Sequence, residues 1–124
     1  MTVKHTGDAK GRRAEQRAEL LLRLKGYRIL ARRFRSHQGE IDLIARRGRV
    51  IAFVEVKYRL SAGAAVESVL ERQQRRILAA ARSFIAQHPK YAAMTSRFDI
   101  IVVTGALLPH HLLNAWQASA QNSW

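Results

Sequence analysis

The chain has 124 residues, of which 48% are hydrophobic and none is cysteine. This length suits one domain with a single core, and the lack of cysteine excludes disulfides and thiolate-bound metals, as expected in a reducing cytoplasm. The formal net charge is +13, and 16 of the 22 basic residues lie in positions 1–60, which favours a polyanionic partner, most often nucleic acid.

A solvated basic surface without a nucleic-acid partner is the alternative explanation of this charge. A membrane partner is disfavoured, because no segment reaches the ~18 consecutive apolar residues of a span and no basic amphipathic helix with a large aromatic edge is evident. In chain order, residues 1–11 predict a flexible polar tail and residues 12–120 predict a single domain. Within that domain, residues 12–25 predict a helix, which Gly26 would end as a C-cap.

Three strands are predicted next. Residues 27–35 predict a strand near a sheet edge, because the outward positions are basic. Strands at 40–46 and 49–59 follow, joined at Arg47-Gly48, where glycine supplies the positive φ of a tight hairpin.

The second half of the chain predicts a helix and at least one more strand. Residues 66–87 predict a long helix that Pro89 would stop, and residues 97–103 predict another buried strand. Residues 110–119 fit a short strand or a helix equally well. The order of helix, three strands, helix and strand predicts a mixed α/β layer with a hairpin-built sheet.

The predicted hairpin carries acidic side chains in its most apolar part. In the strand at 49–59, Glu55 and Lys57 share one face, because side chains alternate along a strand. A two-residue loop at Arg47-Gly48 fixes the expected register, in which position 46 pairs with 49, 44 with 51 and 42 with 53. Asp42 then lies on the same face as Glu55 and diagonal to it, roughly 7–8 Å away at the backbone, within joint reach of one ion. Glu40 would lie opposite Glu55, but it starts its strand and fits a solvated position.

Two converging carboxylates in a half-buried place repel each other and lose hydration. A hard divalent cation bound by Asp42 and Glu55, Mg²⁺ or Mn²⁺, would compensate. Lys57 could then hold or polarise a water or a phosphate oxygen, which suits phosphodiester hydrolysis. A plain ion pair between Lys57 and a carboxylate is the alternative, and spacing alone does not separate the two.

Two further polar residues are candidates for the same site. Glu15 flanks the apolar stripe of the first helix and could lean over the sheet as a further carboxylate. Its alternative is a surface glutamate that pairs with a local arginine. Gln73 lies between Leu70 and Ile77 on the inward side of the long helix, where a buried amide would need partners; the alternative is a rim position facing water.

The remaining titratable residues predict ordinary structural roles. Asp99 is expected to form a salt bridge with Arg97 or with another arginine. The histidines have no spacing that matches a helical zinc site. His110 and His111 are adjacent, so their side chains face different directions in any helix or strand, and both are predicted to lie on the surface.

The chain resembles the bacterial YraN-type family over nearly its whole length beyond the tail. That nuclease-like family is itself similar to the archaeal Holliday junction resolvases of the restriction-endonuclease-like fold. The motifs that carry the resemblance occur in the same order and are "GRRAE" (11–15), "GYRILARRFR" (26–35), "GEIDLIAR" (39–46), "VEVKYR" (54–59), "QQRRI" (73–77) and "RFDII" (97–101).

The resemblance implies an αβββαβ core with a metal site. Asp42, Glu55 and Lys57 match the Asp…Glu-x-Lys motif residue by residue, and Glu15 matches the glutamate on the first helix of the resolvase-like branch. Gln73 departs from the family, which usually has lysine there, so a cation that could contact phosphate or orient a water is missing.

The sequence therefore predicts a Mg²⁺-dependent (or Mn²⁺-dependent) endonuclease-like protein acting on DNA, with branched or damaged DNA as candidate substrates. One alternative is a catalytically weak nucleic-acid-binding module on the same fold, and another is a scaffold that docks through the apolar segment near Trp116. The oligomeric state stays open, with a homodimer through the edge of the strand at 27–35 as one option. The residues expected to hold phosphates are Arg12, Arg13, Arg32, Arg33 and Arg35.

Overall fold

The computed structural model of the chain describes residues 8–59, 71–105 and 108–117, with side chains from Gly11 onward. Its elements follow the predicted order, with a final strand after the core. They are α1 (Asp8–Leu24), β1 (Arg28–Ser36), β2 (Gly39–Arg47), β3 (Val50–Tyr58), α2 (Glu71–Gln87), a 3₁₀ turn (Pro89–Tyr91), β4 (Thr95–Val103) and β5 (His110–Leu112).

The described strands form one five-stranded sheet in the order β1-β2-β3-β4-β5. Neighbouring strands are antiparallel, except that β3 and β4 run parallel, as a crossover that contains α2 allows. The two helices pack on opposite faces of the sheet. This arrangement confirms the predicted αβββαβ core with a mixed central sheet flanked by helices.

Each face of the sheet has its own apolar core. The α1-side core includes Ala14, Ala18, Leu22, Tyr27, Leu43, Val54 and Ile101. The α2-side core includes Ile41, Ile44, Phe53, Ile77, Phe84, Phe98 and Ile100. Because β3 contributes to both cores, it is buried on both faces and central in the sheet.

Helix α1 ends with the glycine C-cap that the sequence predicted at Gly26. Gly26 has a φ of +90°, and the Tyr27 N–H donates to the Leu22 carbonyl at 2.9 Å while the Gly26 N–H donates to the Arg23 carbonyl at 3.0 Å. These two bonds make a Schellman motif, which closes the last turn of the helix. Tyr27 and Leu22 then pack together in the α1-side core.

The predicted hairpin register is wrong by two residues. Arg47 pairs with Val50 and Leu43 pairs with Val54, so the two-residue turn is Gly48-Arg49. Gly48 takes the first turn position with a φ of +60°, as a type II′ turn requires of that position. A register shift of two residues does not by itself move side chains to the other face of the sheet.

Helix α2 approaches β2 closely at Gly39. A Cβ built on Gly39 would lie 2.2 Å from the Arg76 carbonyl oxygen, and the Arg76 Nε donates to the Gln38 carbonyl at 3.4 Å. The first turns of α2 therefore lie over the start of β2, three residues from Asp42. The predicted helix at 66–87 is confirmed from Glu71 onward, and its first five positions lie outside the described residues.

Replacing Gly39 with alanine is expected to lower the free energy of unfolding by roughly 1–3 kcal/mol, because the methyl group would force the two backbones apart. Urea denaturation of the purified variant measures this change. Gly11→Ala is the matched control: no atom lies within 4 Å of its Cβ, and alanine in a helix is favoured over glycine by about 0.8–1 kcal/mol. Equal unfolding midpoints for the two variants would contradict the close-approach explanation.

The C-terminal segment covers one end of the α2-side core. Trp116 stacks on Phe98, with ring centroids 4.3 Å apart, and the Ala115 N–H donates to the Phe98 carbonyl at 2.9 Å. Trp116 is buried, so its indole ring belongs to the α2-side core.

The first helix begins earlier than the sequence predicted. Helix α1 begins at Asp8, so residues 8–11 of the predicted tail belong to its first turn, whereas residues 1–7 and 118–124 lie outside the described residues. Across the three described ranges, no helix is long and apolar enough to cross a bilayer.

Candidate metal centre

Asp42 occupies the point at which β2 and β3 part. The two strands pair from Arg47–Val50 to Leu43–Val54. At the residue of β2 just beyond the last pair, the Asp42 Oδ2 accepts a hydrogen bond from the Val56 N–H at 2.8 Å. The Asp42 side chain thus takes the place of a ladder hydrogen bond, and it is only 1% exposed.

A distortion of β1 and β2 orients this carboxylate. Ile41 and Ile44 both pack in the α2-side core, although residues three apart should face opposite ways. The regular alternation therefore breaks between them, at Asp42. On β1, Arg33 lies across from Asp42 and has a φ of +49°, a value uncommon outside glycine. This break turns the Asp42 carboxylate toward the backbone of β3.

Glu55 and Lys57 are consecutive side chains on one face of β3. Their partners in the parallel ladder are Ile100 and Val102, both in the α2-side core, so the two charged groups enter the layer between the sheet and α2. They are 7% and 8% exposed, and the Lys57 Nζ lies 3.4 Å from the Glu55 Oε2. The ion pair that the sequence offered as an alternative is thus present, and its two residues flank Val56, whose N–H donates to Asp42.

The point at which β2 and β3 part is a fork in the sheet, and the carboxylate oxygens there are of the type that a hard divalent cation prefers. Asp42 and Glu55 supply two buried carboxylates beside the single ammonium of Lys57, so these three groups together carry a formal charge of −1. The N–H and C=O of one strand residue point to the same neighbouring strand, so the Val56 carbonyl also faces β2 and the Asp42 carboxylate. Mg²⁺ commonly binds proteins through one or two carboxylates and keeps several waters, and the donors present fit that pattern.

Glu15 takes part in a different contact. Its carboxylate accepts a hydrogen bond from the Arg33 Nε at 2.9 Å, which is the local ion pair that the sequence gave as the alternative for this residue. No group of three or more His, Cys, Asp or Glu side chains assembles anywhere in the described ranges. Asp42 and Glu55 are the acidic pair of the candidate centre, and Glu15 pairs with Arg33, which lies across from Asp42 between the Arg32–Leu43 and Phe34–Ile41 pairs.

Gln73 lies in the first turn of α2, one helical turn before the buried Ile77. It is partly exposed. Because the first turns of α2 lie over the start of β2, Gln73 belongs to the same end of the sheet as Asp42. This position agrees with a supporting role beside the centre.

Three of the five arginines predicted to hold phosphates already have carboxylate partners. Exposed ion pairs of this kind contribute only about 0–1 kcal/mol each, so a phosphate oxygen can compete for the same guanidinium groups. The pairs are Arg32–Glu19 at 2.7 Å, Arg33–Glu15 at 2.9 Å and Arg35–Glu40 at 2.7 Å.

A groove of about 640 Å³ runs between α1 and β1. Its lining includes Arg12, Arg32 and Arg33 together with Glu15 and Glu19. The hydrogen bond from Arg32 lowers the pKa of Glu19, so this carboxylate stays ionised and partly offsets the basic charge of the groove. Arg13 is exposed on α1.

The sequence prediction missed a second buried polar cluster. Asp99 forms the expected ion pair with Arg97 at 2.8 Å, but it also accepts hydrogen bonds from the His111 Nε2 at 2.8 Å and from the Asn114 N–H at 2.9 Å. The prediction that His111 lies on the surface is wrong, because its side chain is only 3% exposed. Pairing of β5 with β4 brings His111 inward, and that pairing had no clear sequence signal.

Comparison with known proteins identifies the family. The model of the uncharacterised protein family UPF0102 matches residues 14–103. A UPF0102 protein of Parvibaculum lavamentivorans is 50% identical over 107 residues, which cover 86% of this chain and 80% of that protein. A UPF0102 protein of Methylocella silvestris is 52% identical over 105 residues, or 85% of each chain. The chain therefore belongs to the UPF0102 family, the YraN-type family that its motifs resemble.

Proposed function

We propose that this protein is a Mg²⁺-dependent endonuclease-like enzyme of the cytoplasm that acts on DNA phosphodiester bonds, with branched or damaged DNA as its candidate substrates. The observation that carries the proposal is the fork between β2 and β3. There the carboxylate of Asp42 lies against the Val56 N–H, and Glu55 and Lys57 flank that residue on β3, all three charged side chains being buried. Burial of this kind is costly and is common at functional sites.

Each residue has a distinct role in the proposed reaction. Asp42 and Glu55 would hold the cation through their oxygens. The bound ion would lower the pKa of a water ligand and offset the charge that grows on the phosphate. Lys57, already 3.4 Å from Glu55, would orient the attacking water or donate to a phosphate oxygen.

Arginine side chains outside the fork would bind the DNA backbone. The net charge of +13 and the exposed guanidinium groups of Arg12, Arg13, Arg32 and Arg35 support this part of the proposal. Contacts to phosphates carry little sequence information and weaken with salt, so binding should depend on backbone charge and shape more than on base sequence.

A panel of DNA substrates tests the proposal directly. We expect the purified chain to cleave at least one of junction, flap, single-stranded and linear duplex DNA when Mg²⁺ or Mn²⁺ is present, and to lose that activity in excess chelator. Lys57→Ala should reduce cleavage while the affinity for the same DNA is retained. Wild-type protein that leaves all four substrates intact with both metals would refute the proposal.

A catalytically weak nucleic-acid-binding module is the second candidate function. It is favoured by the ion pair between Lys57 and Glu55, which satisfies both charges without a metal, and by glutamine at position 73. This module would bind DNA in a salt-dependent way that does not change with metal or with Glu55→Ala. Calorimetric titration with Mg²⁺ and Mn²⁺ separates the two candidates, because only the first predicts binding heat that Glu55→Ala removes.

A further inference from the structure

Lys25, His111 and Asp99 form a hydrogen-bonded chain at the end of α1, on the α1 side of the sheet. The Lys25 Nζ lies 2.5 Å from the His111 Nδ1, and the His111 Nε2 lies 2.8 Å from the Asp99 Oδ2. Asp99 has no exposed surface and accepts, so Nε2 must carry a hydrogen and Nδ1 must be the acceptor for Lys25. A nucleophile, a base and a carboxylate that orients the base are thus in line.

The backbone fixes where this lysine stands. Lys25 directly precedes Gly26 in the Schellman motif, and its carbonyl accepts a hydrogen bond from Arg47 at 3.1 Å. Burial, together with the nearby Arg47 and Arg97, lowers the pKa of Lys25 even though Asp99 acts in the opposite direction. The side chain nevertheless remains partly exposed, so a small molecule can reach the amine.

The charge around Lys25 favours an anionic reagent. The Arg47 guanidinium lies over the Tyr27 ring, 4.8 Å from its centroid. Arg97 donates to Asp99 and to the Tyr27 hydroxyl. The Lys25 amine thus has two guanidinium groups near it, those of Arg47 and Arg97, against the single carboxylate of Asp99. This excess of positive charge would attract a phosphate-bearing reagent.

We propose that Lys25 is a modification site that takes an acyl group from small acyl phosphates, with His111 as the base and Asp99 as the positioning residue. The Nζ lone pair forms a bond to the acyl carbon, the bond from that carbon to the phosphate oxygen breaks, and inorganic phosphate leaves with the electron pair. The proton released from Nζ passes to the His111 Nδ1, and Asp99 stabilises the imidazolium. The product is an acylated lysine, and no redox change occurs.

Acetyl phosphate is the probe for this site. The full chain is incubated with it near neutral pH, and acetylation of each lysine is quantified by mass spectrometry of peptides. We expect Lys25 to react on the order of 100-fold faster than Lys90 in the same molecule, at the lower end of what a positioned base contributes. Equal rates at Lys25 and Lys90 would overturn the proposal.

Two variants at neighbouring positions distinguish the effect of His111 as a base from the effect of solvent exposure on the rate at Lys25. His111→Asn should bring the rate at Lys25 down to that at Lys90, whereas His110→Asn, at an exposed position of the same strand, should leave the excess intact. A His111→Asn protein that melts cooperatively and keeps the excess at Lys25 would overturn the role of the base.

Two measurements on the wild-type chain need no variant. The rate at Lys25 should level off at a lower pH than that of a lysine in an added model peptide, because more of the Lys25 amine is unprotonated; identical pH profiles would contradict the proposal. The neutral donor N-hydroxysuccinimidyl acetate should give a smaller excess at Lys25 than acetyl phosphate does. An equal excess with both donors would overturn the assignment to acyl phosphates.

Discussion

Glu55→Gln is expected to reduce metal-dependent DNA cleavage on the order of 10³-fold. The amide keeps the shape of the side chain but removes one of the two charges that would hold the cation, and it cannot pair with Lys57 as a carboxylate does. The affinity for DNA should stay within a factor of about two, since the phosphate contacts proposed for the arginines lie elsewhere and carry most of such affinity. Single-turnover cleavage assays and titrations of labelled DNA, done side by side, measure the two quantities.

Glu71→Gln is the matched control for this experiment. Glu71 is an exposed carboxylate on α2 that pairs with Arg75 at 3.3 Å, so its replacement changes the net charge equally without touching the fork. The control variant should cleave at the wild-type rate. Comparable losses in the two variants, or full activity of Glu55→Gln, would count against Glu55 as a metal ligand.

Asp99→Asn is expected to lower the free energy of unfolding by about 3–5 kcal/mol, as is typical when one partner of a buried ion pair is removed. The carboxylate accepts from the side chains of Arg97 and His111 and from the Asn114 N–H. An amide offers only one acceptor oxygen and presents its own N–H groups to the donors that remain. A loss of this size is a large part of the roughly 5–15 kcal/mol that stabilises a domain, and urea denaturation measures it.

The same variant should alter how stability depends on pH. Burial by itself would raise the pKa of Asp99, but the hydrogen bonds from His111, Arg97 and Asn114 outweigh burial and hold the pKa below its ordinary value of 3.8. Asp99 therefore stabilises the fold fully above about pH 4, and this contribution is lost as the pH falls through the lowered pKa of the folded state. Unfolding curves of the wild type should show this decline in acid, and those of Asp99→Asn should show less of it.

Glu40→Gln is the control for the stability comparison. Its carboxylate pairs with Arg35 at the surface, where ion pairs contribute about 0–1 kcal/mol. We expect an unfolding free energy within that range of the wild type. If Glu40→Gln lowered the free energy of unfolding as much as Asp99→Asn does, burial would not explain how much each ion pair contributes to stability.

Local patterns in the sequence were sufficient for the core elements. The apolar stripe of α1, the glycine at its C-cap and the two strands of the β2–β3 hairpin each reflect short-range geometry, and each of these elements is confirmed. The turn was predicted one residue too early, because a two-residue hairpin can carry glycine at either central position. The error moved the register by two, and Asp42 lies where the ladder ends, with its carboxylate on the N–H of Val56, the residue between Glu55 and Lys57.

Long-range contacts could not be read from the sequence. Glu15 pairs with Arg33, which has a positive φ that the residue type does not indicate. His111 becomes buried because β5 adds to β4 and brings it onto Asp99, a contact across twelve positions of the chain. In both cases the partner is fixed by tertiary packing, whereas periodicity describes only one element at a time.

The hydrogen bond between Asp42 and the Val56 N–H has a consequence for ligand affinity. Because a backbone group of the neighbouring strand already fixes this carboxylate, its rotamer entropy is lost when the chain folds and not when a ligand arrives. Such preorganisation lets more of the interaction energy contribute to affinity. Folding would thus prepare the fork for the proposed ion before that ion binds.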